Sequence, residues 1–250
     1  MELIILGSGT AIPSAKRGSP GAVLKIGEEL IMLDCGSGSL EKLAKKGLNF
    51  LNICYILVSH LHPDHIIDLV PFLFALRNQD LPPIQREISI IGPMGIEQYF
   101  NQLKEVYGCW VEPPCQIKLI EATEGEFSFP RFSLKTAPVE HLVNSIAFRI
   151  STPEGKSFLY SGDSDYCRPL VELARGVDLA LIESSFPEGM KVEGHLTPKL
   201  AARIATEAGC PRIILTHLYP QCENYDIREQ CQEAYKGEVI VAQDGMQFSI

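Results

Sequence analysis

The chain has 250 residues, 46% hydrophobic and 21% charged, which is an ordinary globular composition. No stretch approaches the roughly 20 apolar residues that span a membrane, and the opening Met1-Glu2-Leu3-Ile4-Ile5-Leu6-Gly7 lacks the basic region and cleavage site of a signal peptide. A net charge of −9 and a pI of about 5.2 disfavour a broad footprint for long nucleic acid, but a small anion stays admissible where bound cations reverse the local field.

In chain order, Glu2–Leu6, Ala22–Ile26 and Leu30–Leu33 are short apolar runs between Gly- and Ser-rich turns, and they predict antiparallel strands. Gly7-Ser8-Gly9-Thr10 lacks the Lys-Ser/Thr of a phosphate loop and reads as a tight turn. Asp34-Cys35-Gly36-Ser37-Gly38-Ser39 ends the third strand, and Ser39 is expected to cap a helix over Leu40–Lys46. Asp34 reads as a cap, a turn residue or a support for a ligand. After the apolar run Ile53–Val58, Ile66 to Arg77 predicts a buried helix that Pro71 kinks or restarts. Glu87–Ile91 reads as a strand and Glu97–Tyr107 as an amphipathic helix, followed by short strands from Cys115 to Thr136. Ser145–Ile150 and Ser157–Ser161 frame the turn Thr152-Pro153-Glu154-Gly155, and a short helix covers Arg168–Ala174. The C-terminal third alternates strand and helix. Asp178–Ile182 is a strand, Thr197-Pro198 caps and starts a helix through Ala208, and Arg212–Leu215 is a strand. A helix over Ile227–Tyr235 and strands over Val239–Ala242 and Gln247–Ile250 follow. No low-complexity linker interrupts residues 1–250, so one domain of two mixed sheets with outer helices is expected; strand order does not follow from the pattern.

Eight cysteines are present and no two form a CxxC pair. With no secretion signal they are expected to be reduced thiols in a cytoplasmic protein, and their spacing does not suit a closed structural zinc site. Cys167 and Cys222, near polar loops that carry candidate ligands, read as incidental.

The chemistry concentrates in Ser59-His60-Leu61-His62-Pro63-Asp64-His65, which holds three of the six histidines where a strand hands over to a helix. On an extended segment His60 and His62 point to one side and can reach one cation, while Asp64 and His65, past Pro63, can face a neighbouring position. Core packing has no use for four adjacent polar groups. His141, Asp163 and His217 each follow an apolar run far along the chain. Singly each has a bland reading as a core, surface or turn residue; together with the HxHxDH string they favour one shared polynuclear site.

This set of HxHxDH, a distant His, Ser-Gly-Asp and Thr-His resembles the metallo-β-lactamase superfamily. Leu6-Gly7-Ser8-Gly9-Thr10 and Asp34-Cys35-Gly36-Ser37-Gly38 resemble its ribonuclease Z-like branch. The resemblance covers nearly the whole chain and implies an αββα sandwich with a dinuclear site at one sheet edge. It implies two divalent metal ions, usually zinc, though manganese or iron suit the same N/O donors. By position, His60, His62 and His141 resemble the ligands of the first metal, Asp64, His65 and His217 those of the second, and Asp163 the carboxylate that bridges them. Two divalent ions, less Asp64, Asp163 and a bridging hydroxide, leave the site near +1, suited to one phosphodiester.

Glu183 and His195 read blandly as a turn carboxylate and a helix-start residue. The resemblance implies instead a histidine near the scissile phosphate, oriented by the glutamate, since an alkoxide leaving group wants a proton or a positive partner. The resemblance has one gap. Ribonuclease Z itself carries a basic, Gly-rich arm for tRNA between the motifs of His141 and Asp163, and Leu142 to Gly162 leaves no room for it. The expected function is therefore a phosphodiesterase of a small ester or cyclic nucleotide, with Asp64, His195 and Glu183 catalytic. A tRNA-processing endonuclease, an arylsulfatase and a metal-bearing sensor without turnover are the alternatives. Members of the branch are often homodimers, so a homodimer is admissible.

Overall fold

The structure, a computed structural model, describes residues 1–77 and 87–250. β1 (Glu2–Gly7), β2 (Gly21–Ile26) and β3 (Glu29–Cys35) run antiparallel. β4 (Ile53–Leu57), β5 (Ile88–Pro93) and β6 (Ile117–Ala122) then join β3 in parallel. β7 (Gly125–Ser128), β8 (Ser133–Pro138), β9 (Ile146–Ser151) and β10 (Ser157–Tyr160) form an antiparallel meander. β11 (Leu179–Glu183), β12 (Arg212–Thr216) and β13 (Glu238–Val241) join β10 in parallel, while β14 (Gln247–Ser249) returns to pair with β1. The result is two mixed sheets of seven strands, ordered β14-β1-β2-β3-β4-β5-β6 and β13-β12-β11-β10-β9-β8-β7.

Alternation explains the layering. Leu3, Ile5, Ile31 and Leu33 pack with Phe148, Phe158, Leu179 and Leu181 between the sheets. Ile4, Leu6, Leu30 and Met32 point the other way, under helices on the first sheet. Both faces are buried, so these strands read as continuous apolar runs. The helices over the first sheet are α1 (Ser39–Lys45), α2 (Pro63–Ile66), α3 (Leu69–Leu76) and α4 (Ile96–Tyr107). Over the second lie α5 (Arg168–Ala174), α6 (Pro198–Ala208) and α7 (Ile227–Gln232), packed on Ala180, Ile182, Ile213 and Leu215. Each fully buried aliphatic or aromatic side chain contributes about 1.5–3 kcal/mol. The architecture is the expected αββα sandwich. Among the described residues no helix is long and apolar enough to cross a membrane.

Two local expectations, both of helix caps, need correction. Ser39 does not cap α1: Gly38, at φ 82°, holds the cap position, and Asp68 accepts from the Gly38 and Leu40 amides at 3.1 and 2.9 Å. A carboxylate from the junction before α3 has replaced the local hydroxyl, and Ser39 Oγ is buried without a partner. Of the two expectations for Pro71 the restart holds: the helix breaks before Leu69, and Pro71 falls in the first turn of α3, where its missing N–H costs nothing. Thr197 does hold the cap position of α6, but its hydroxyl makes no cap bond; Glu188 Oε1 instead accepts from the Lys199 amide at 2.9 Å.

The parallel strands set up one functional edge. The C-terminal ends of β3, β4, β10, β11 and β12 lead into Asp34, His60, Asp163, Glu183 and His217. Loops at the carboxyl ends of parallel strands are the usual home of a site on α/β sheets.

Candidate metal centre

The histidine string folds in two parts. His60 leaves the end of β4 in an extended loop, and His62 takes the cap position of α2 with Pro63 at its first turn. That single turn brings Asp64 and His65 in from the far side of Pro63, with the His65 ring 4.1 Å from that of His60 between centroids. His141 arrives after β8, Asp163 after the Gly162 turn that follows β10, and His217 directly after β12.

All seven predicted ligands converge. His60 Nε2 lies 3.0 Å from His62 Nδ1, which lies 3.3 Å from His141 Nε2. His65 Nε2 lies 3.2 Å from His217 Nε2, and each is 3.8 Å from Asp64 Oδ2. Asp163 adjoins both groups: its Oδ2 is 3.8 Å from His60 and His141 Nε2 and 3.3 Å from His217 Nε2, and its Oδ1 is 3.4 Å from His65 Nε2. Ligand atoms of His60, His62, His141 and Asp163 fall within 4.8 Å of one another, as do those of Asp64, His65 and His217.

The partners behind the rings fix their tautomers. Ser59 Oγ gives its hydrogen to Asp34 Oδ2 at 2.7 Å, so it accepts from His60 Nδ1 at 3.0 Å. His65 Nδ1 donates to the same Asp34 oxygen at 2.7 Å. His141 Nδ1 donates to the Gly194 carbonyl at 2.9 Å. Ser185 Oγ gives its hydrogen to Glu183 Oε2 at 2.5 Å and therefore accepts from His217 Nδ1 at 2.9 Å. Four Nε2 lone pairs are thus turned inward, and neutral imidazoles so oriented can ligate a metal.

The Nε2 lone pairs of His65 and His217 face one another at 3.2 Å, and those of His60 and His141 both point at His62 Nδ1, at 3.0 and 3.3 Å. Asp163 Oδ1 is buried and has no hydrogen-bond partner among the described residues. Lone pairs and an unpartnered carboxylate oxygen in a buried space call for cations, and the N/O donor set suits a divalent one. The residues therefore fit a metal group.

At His65 burial opposes the charged form, but Asp163 and Asp34 prevail and raise the ring; at three other rings electrostatics agree with the neutral form. Burial pushes the His60, His62 and His141 rings below the ordinary histidine value, which favours the neutral form. Burial works against the Asp163 charge, but His217, His65 and His60 outweigh it and hold the carboxyl well below the usual range. Burial likewise opposes the Asp64 charge, and His217 and His65 overcome it.

Backbone strain collects here. Asp34 and His217 are non-glycine residues at φ 49° and 57°, in the left-handed region that costs about 1–2 kcal/mol per residue. Glycines allow close approach: a Cβ on Gly36 would meet Asp64 O at 2.0 Å, and one on Gly162 would meet Ser59 Cβ at 2.5 Å.

Glu183 and His195 stand behind the centre. His195 Nδ1 donates to Glu183 Oε1 at 2.9 Å, and Glu183 also accepts from the Ser164 and Leu196 amides at 2.8 and 3.1 Å. Burial opposes the His195 charge, yet the Glu183 carboxylate prevails and raises the imidazole above its ordinary value. The ring lies parallel to His217, with centroids 5.7 Å apart. Phe186 and Tyr219 stack at 4.4 Å and flank His195 at 5.9 and 6.0 Å.

Three residues that the sequence reading passed over, and one that it weighed only in passing, hold this geometry. Ser59, Ser185 and Tyr160 supply or accept its supporting hydrogen bonds, and Asp34, read only as a possible support, accepts four of them. Ser59 and Ser185 precede a ligand or follow Glu183 by one or two residues, a signal available in the sequence; Tyr160 carries none beyond its nearness to Asp163. Cys222 Sγ donates to the Ser185 carbonyl at 3.3 Å and burial pushes its thiol up to about 12, so it is an inert packing residue.

The sequence profile of the Beta-lactamase superfamily domain matches residues 30–218. The chain is similar to ribonuclease Z of Ignicoccus hospitalis, 28% identical with 93% of this chain and 92% of the relative covered. It is 26% identical to ribonuclease Z of Archaeoglobus fulgidus over an alignment of 305 residues that covers 100% of this chain and 97% of the relative. Among solved structures it resembles the metallo-beta-lactamase fold protein YhfI from Bacillus subtilis, with a TM-score of 0.86, 25% identity, and 99% and 98% of the two chains covered. It also resembles human tRNase Z, short form, with a TM-score of 0.81, 26% identity, and 100% and 99% covered.

Proposed function

The chain belongs to the β-lactamase superfamily, and from that premise we propose that it is a hydrolase using two divalent cations, a phosphodiesterase of small phosphodiesters or cyclic nucleotides. The observation that carries this reading is the pair of adjoining donor groups that share Asp163. His60, His62 and His141 would hold one cation, Asp64, His65 and His217 the other, and Asp163 would reach both. Zinc is the first candidate for such a set. When bound, the cations supply Lewis acidity and make hydroxide available near neutral pH.

The chain's own groups do the rest. His195, raised by Glu183, carries a proton towards the leaving oxygen. Glu183 keeps that ring in one tautomer through Nδ1. Asp64, with its side chain 14% exposed against 3% for Asp163, is the carboxylate open enough to exchange a proton with solvent. The Phe186–Tyr219 pair offers an aromatic wall beside His195, suited to an aryl or base group of the substrate.

A small substrate is favoured over tRNA by the interval from His141 to Asp163, which contains β9, a four-residue-class turn and β10 and no arm. The 305-residue alignment with the Archaeoglobus relative exceeds the 250 residues of this chain, so that relative carries internal segments missing here. The net charge of −9 points the same way. The second reading, a ribonuclease Z-type endonuclease, is favoured by the names of the full-length relatives. The deciding experiment measures metal content, then turnover of bis-aryl phosphate, cyclic nucleotide, aryl sulfate and precursor tRNA, with Asp64→Ala as control. Phosphodiester turnover that is lost with Asp64→Ala supports the proposal. Efficient cleavage of precursor tRNA replaces it with the second reading.

A further inference from the structure

The ligands divide by sheet. His60, His62, Asp64 and His65 come from the loop after β4 in the first sheet, and His141, Asp163 and His217 from loops of the second. A shared site needs the two halves held at one spacing. Tyr160, the last residue of β10 in the second sheet, reaches across this gap. Its ring is 4% exposed and packs in the apolar layer between the sheets with Leu33, Leu57 and Phe148. Its hydroxyl nevertheless donates to Asp34 Oδ2, in the first sheet, at 2.6 Å.

A phenylalanine would suit that apolar layer without the cost of burying a hydroxyl. The hydroxyl finds its partner in the one carboxylate that also holds His65. Asp34 is fully buried, sits at φ 49°, and accepts from Ser59 N and Ser59 Oγ at 2.7 Å each. Its Oδ2 is therefore fixed by three donors, Ser59, His65 and Tyr160, and two of these come from the first sheet while the third comes from the second. Rotation of the carboxylate would break all three bonds together. Other contacts join the sheets nearby, including the Ile146 amide on the Ser59 carbonyl at 3.0 Å, but they do not touch the His65 support.

We propose that Tyr160 is a positioning residue for the second cation: through Asp34 it sets the place and basicity of His65 relative to Asp163 and His217. The inference rests on the two-cation reading. Partners behind a ligating histidine are worth about 10–100-fold in metal affinity or activity, and Tyr160 acts one bond further out, on the partner itself.

The test is a competition titration with zinc and a chromophoric chelator on wild type, Tyr160→Phe, Asp34→Asn and the double variant, with cobalt-substituted absorption spectra and melting of the metal-free proteins. Tyr160→Phe is expected to bind the first cation as wild type does and the second about 10-fold or more weaker. Its cobalt spectrum should change only in the component filled second, and its metal-free melting should stay near wild type. The double variant should be no weaker for metal than Asp34→Asn alone, because both act through one carboxylate. Wild-type affinity for both cations in Tyr160→Phe, or an equal loss at both matched by a loss of metal-free stability, overturns the inference and leaves the two-cation reading intact. Failure of Tyr160→Phe to fold also overturns it, since the hydroxyl would then serve the fold. A wild-type stoichiometry below two overturns the underlying reading and this inference together.

Discussion

Ser185 Oγ lies 2.9 Å from His217 Nδ1, and the proton between them belongs to the imidazole. The serine has given its own hydrogen to Glu183. One hydroxyl thus joins a candidate ligand to the carboxylate that orients His195. Ser185→Ala should weaken zinc binding and lower kcat/KM by about 10–100-fold each, while Ser185→Thr should restore both. A chelator titration and steady-state kinetics check this; wild-type zinc affinity in the alanine variant would refute the link.

His195→Ala separates proton donation from metal binding. Loss of a positioned acid costs about 10²–10⁴ in rate. The fall should be near that range for an alkyl leaving group and small for an aryl one, which leaves without a proton. Metal content should not change. Equal losses for both esters would remove His195 from the role of acid.

Gly162 and Gly155 make a matched pair. Both have left-handed φ, 56° and 85°, but a Cβ on Gly155 meets nothing within 4 Å, and one on Gly162 strikes Ser59. Gly155→Ala should cost only the backbone preference, about 1–2 kcal/mol. Gly162→Ala should cost visibly more and shift Asp163 against the histidine loop. Urea unfolding of both variants measures the difference, and equal midpoints would contradict the close approach.

Chelation should lower the melting temperature. Without cations the inward lone pairs repel, and a metal at 100 times its Kd adds about 2.7 kcal/mol to stability. Calorimetry with and without a chelator, followed by zinc add-back, tests this. An unchanged melting temperature would mean that the pocket is not a metal site.

Thiol reactivity should follow burial. Cys109 is exposed, whereas Cys35, Cys167, Cys210, Cys222 and Cys231 are buried. Burial pushes Cys222 and Cys231 up to about 12, so neither offers thiolate near pH 8. Mass spectrometry after brief alkylation should find Cys109 modified before Cys222 or Cys231, and these two only on unfolding.

The candidate ligands were legible because a cluster of this kind leaves polar residues at strand ends, where packing alone would not put them. HxHxDH, His141, Asp163 and His217 stood out against apolar runs on that ground. Their supports did not. Ser59 and Ser185 look like loop serines until the fold brings Asp34 and His217 beside them, and Tyr160 reads as one more aromatic in a buried strand. Strand order was also out of reach, since β14 pairs with β1 across almost the whole chain. The Ser39 cap failed for the same reason: Asp68 lies 30 and 28 residues from the amides it holds and competes through space with a local hydroxyl.

His65 and His217 are 152 residues apart in sequence, yet their Nε2 atoms are 3.2 Å apart. A cation held by both closes a loop of that length, and closing it in the denatured chain costs entropy that grows with the logarithm of its size. In this respect a bound metal would act as a reversible cross-link, stitching the two sheets as a disulfide would in an oxidising compartment. Release of the metal would lift that constraint from the denatured chain and leave the apolar layer between the sheets to hold them together.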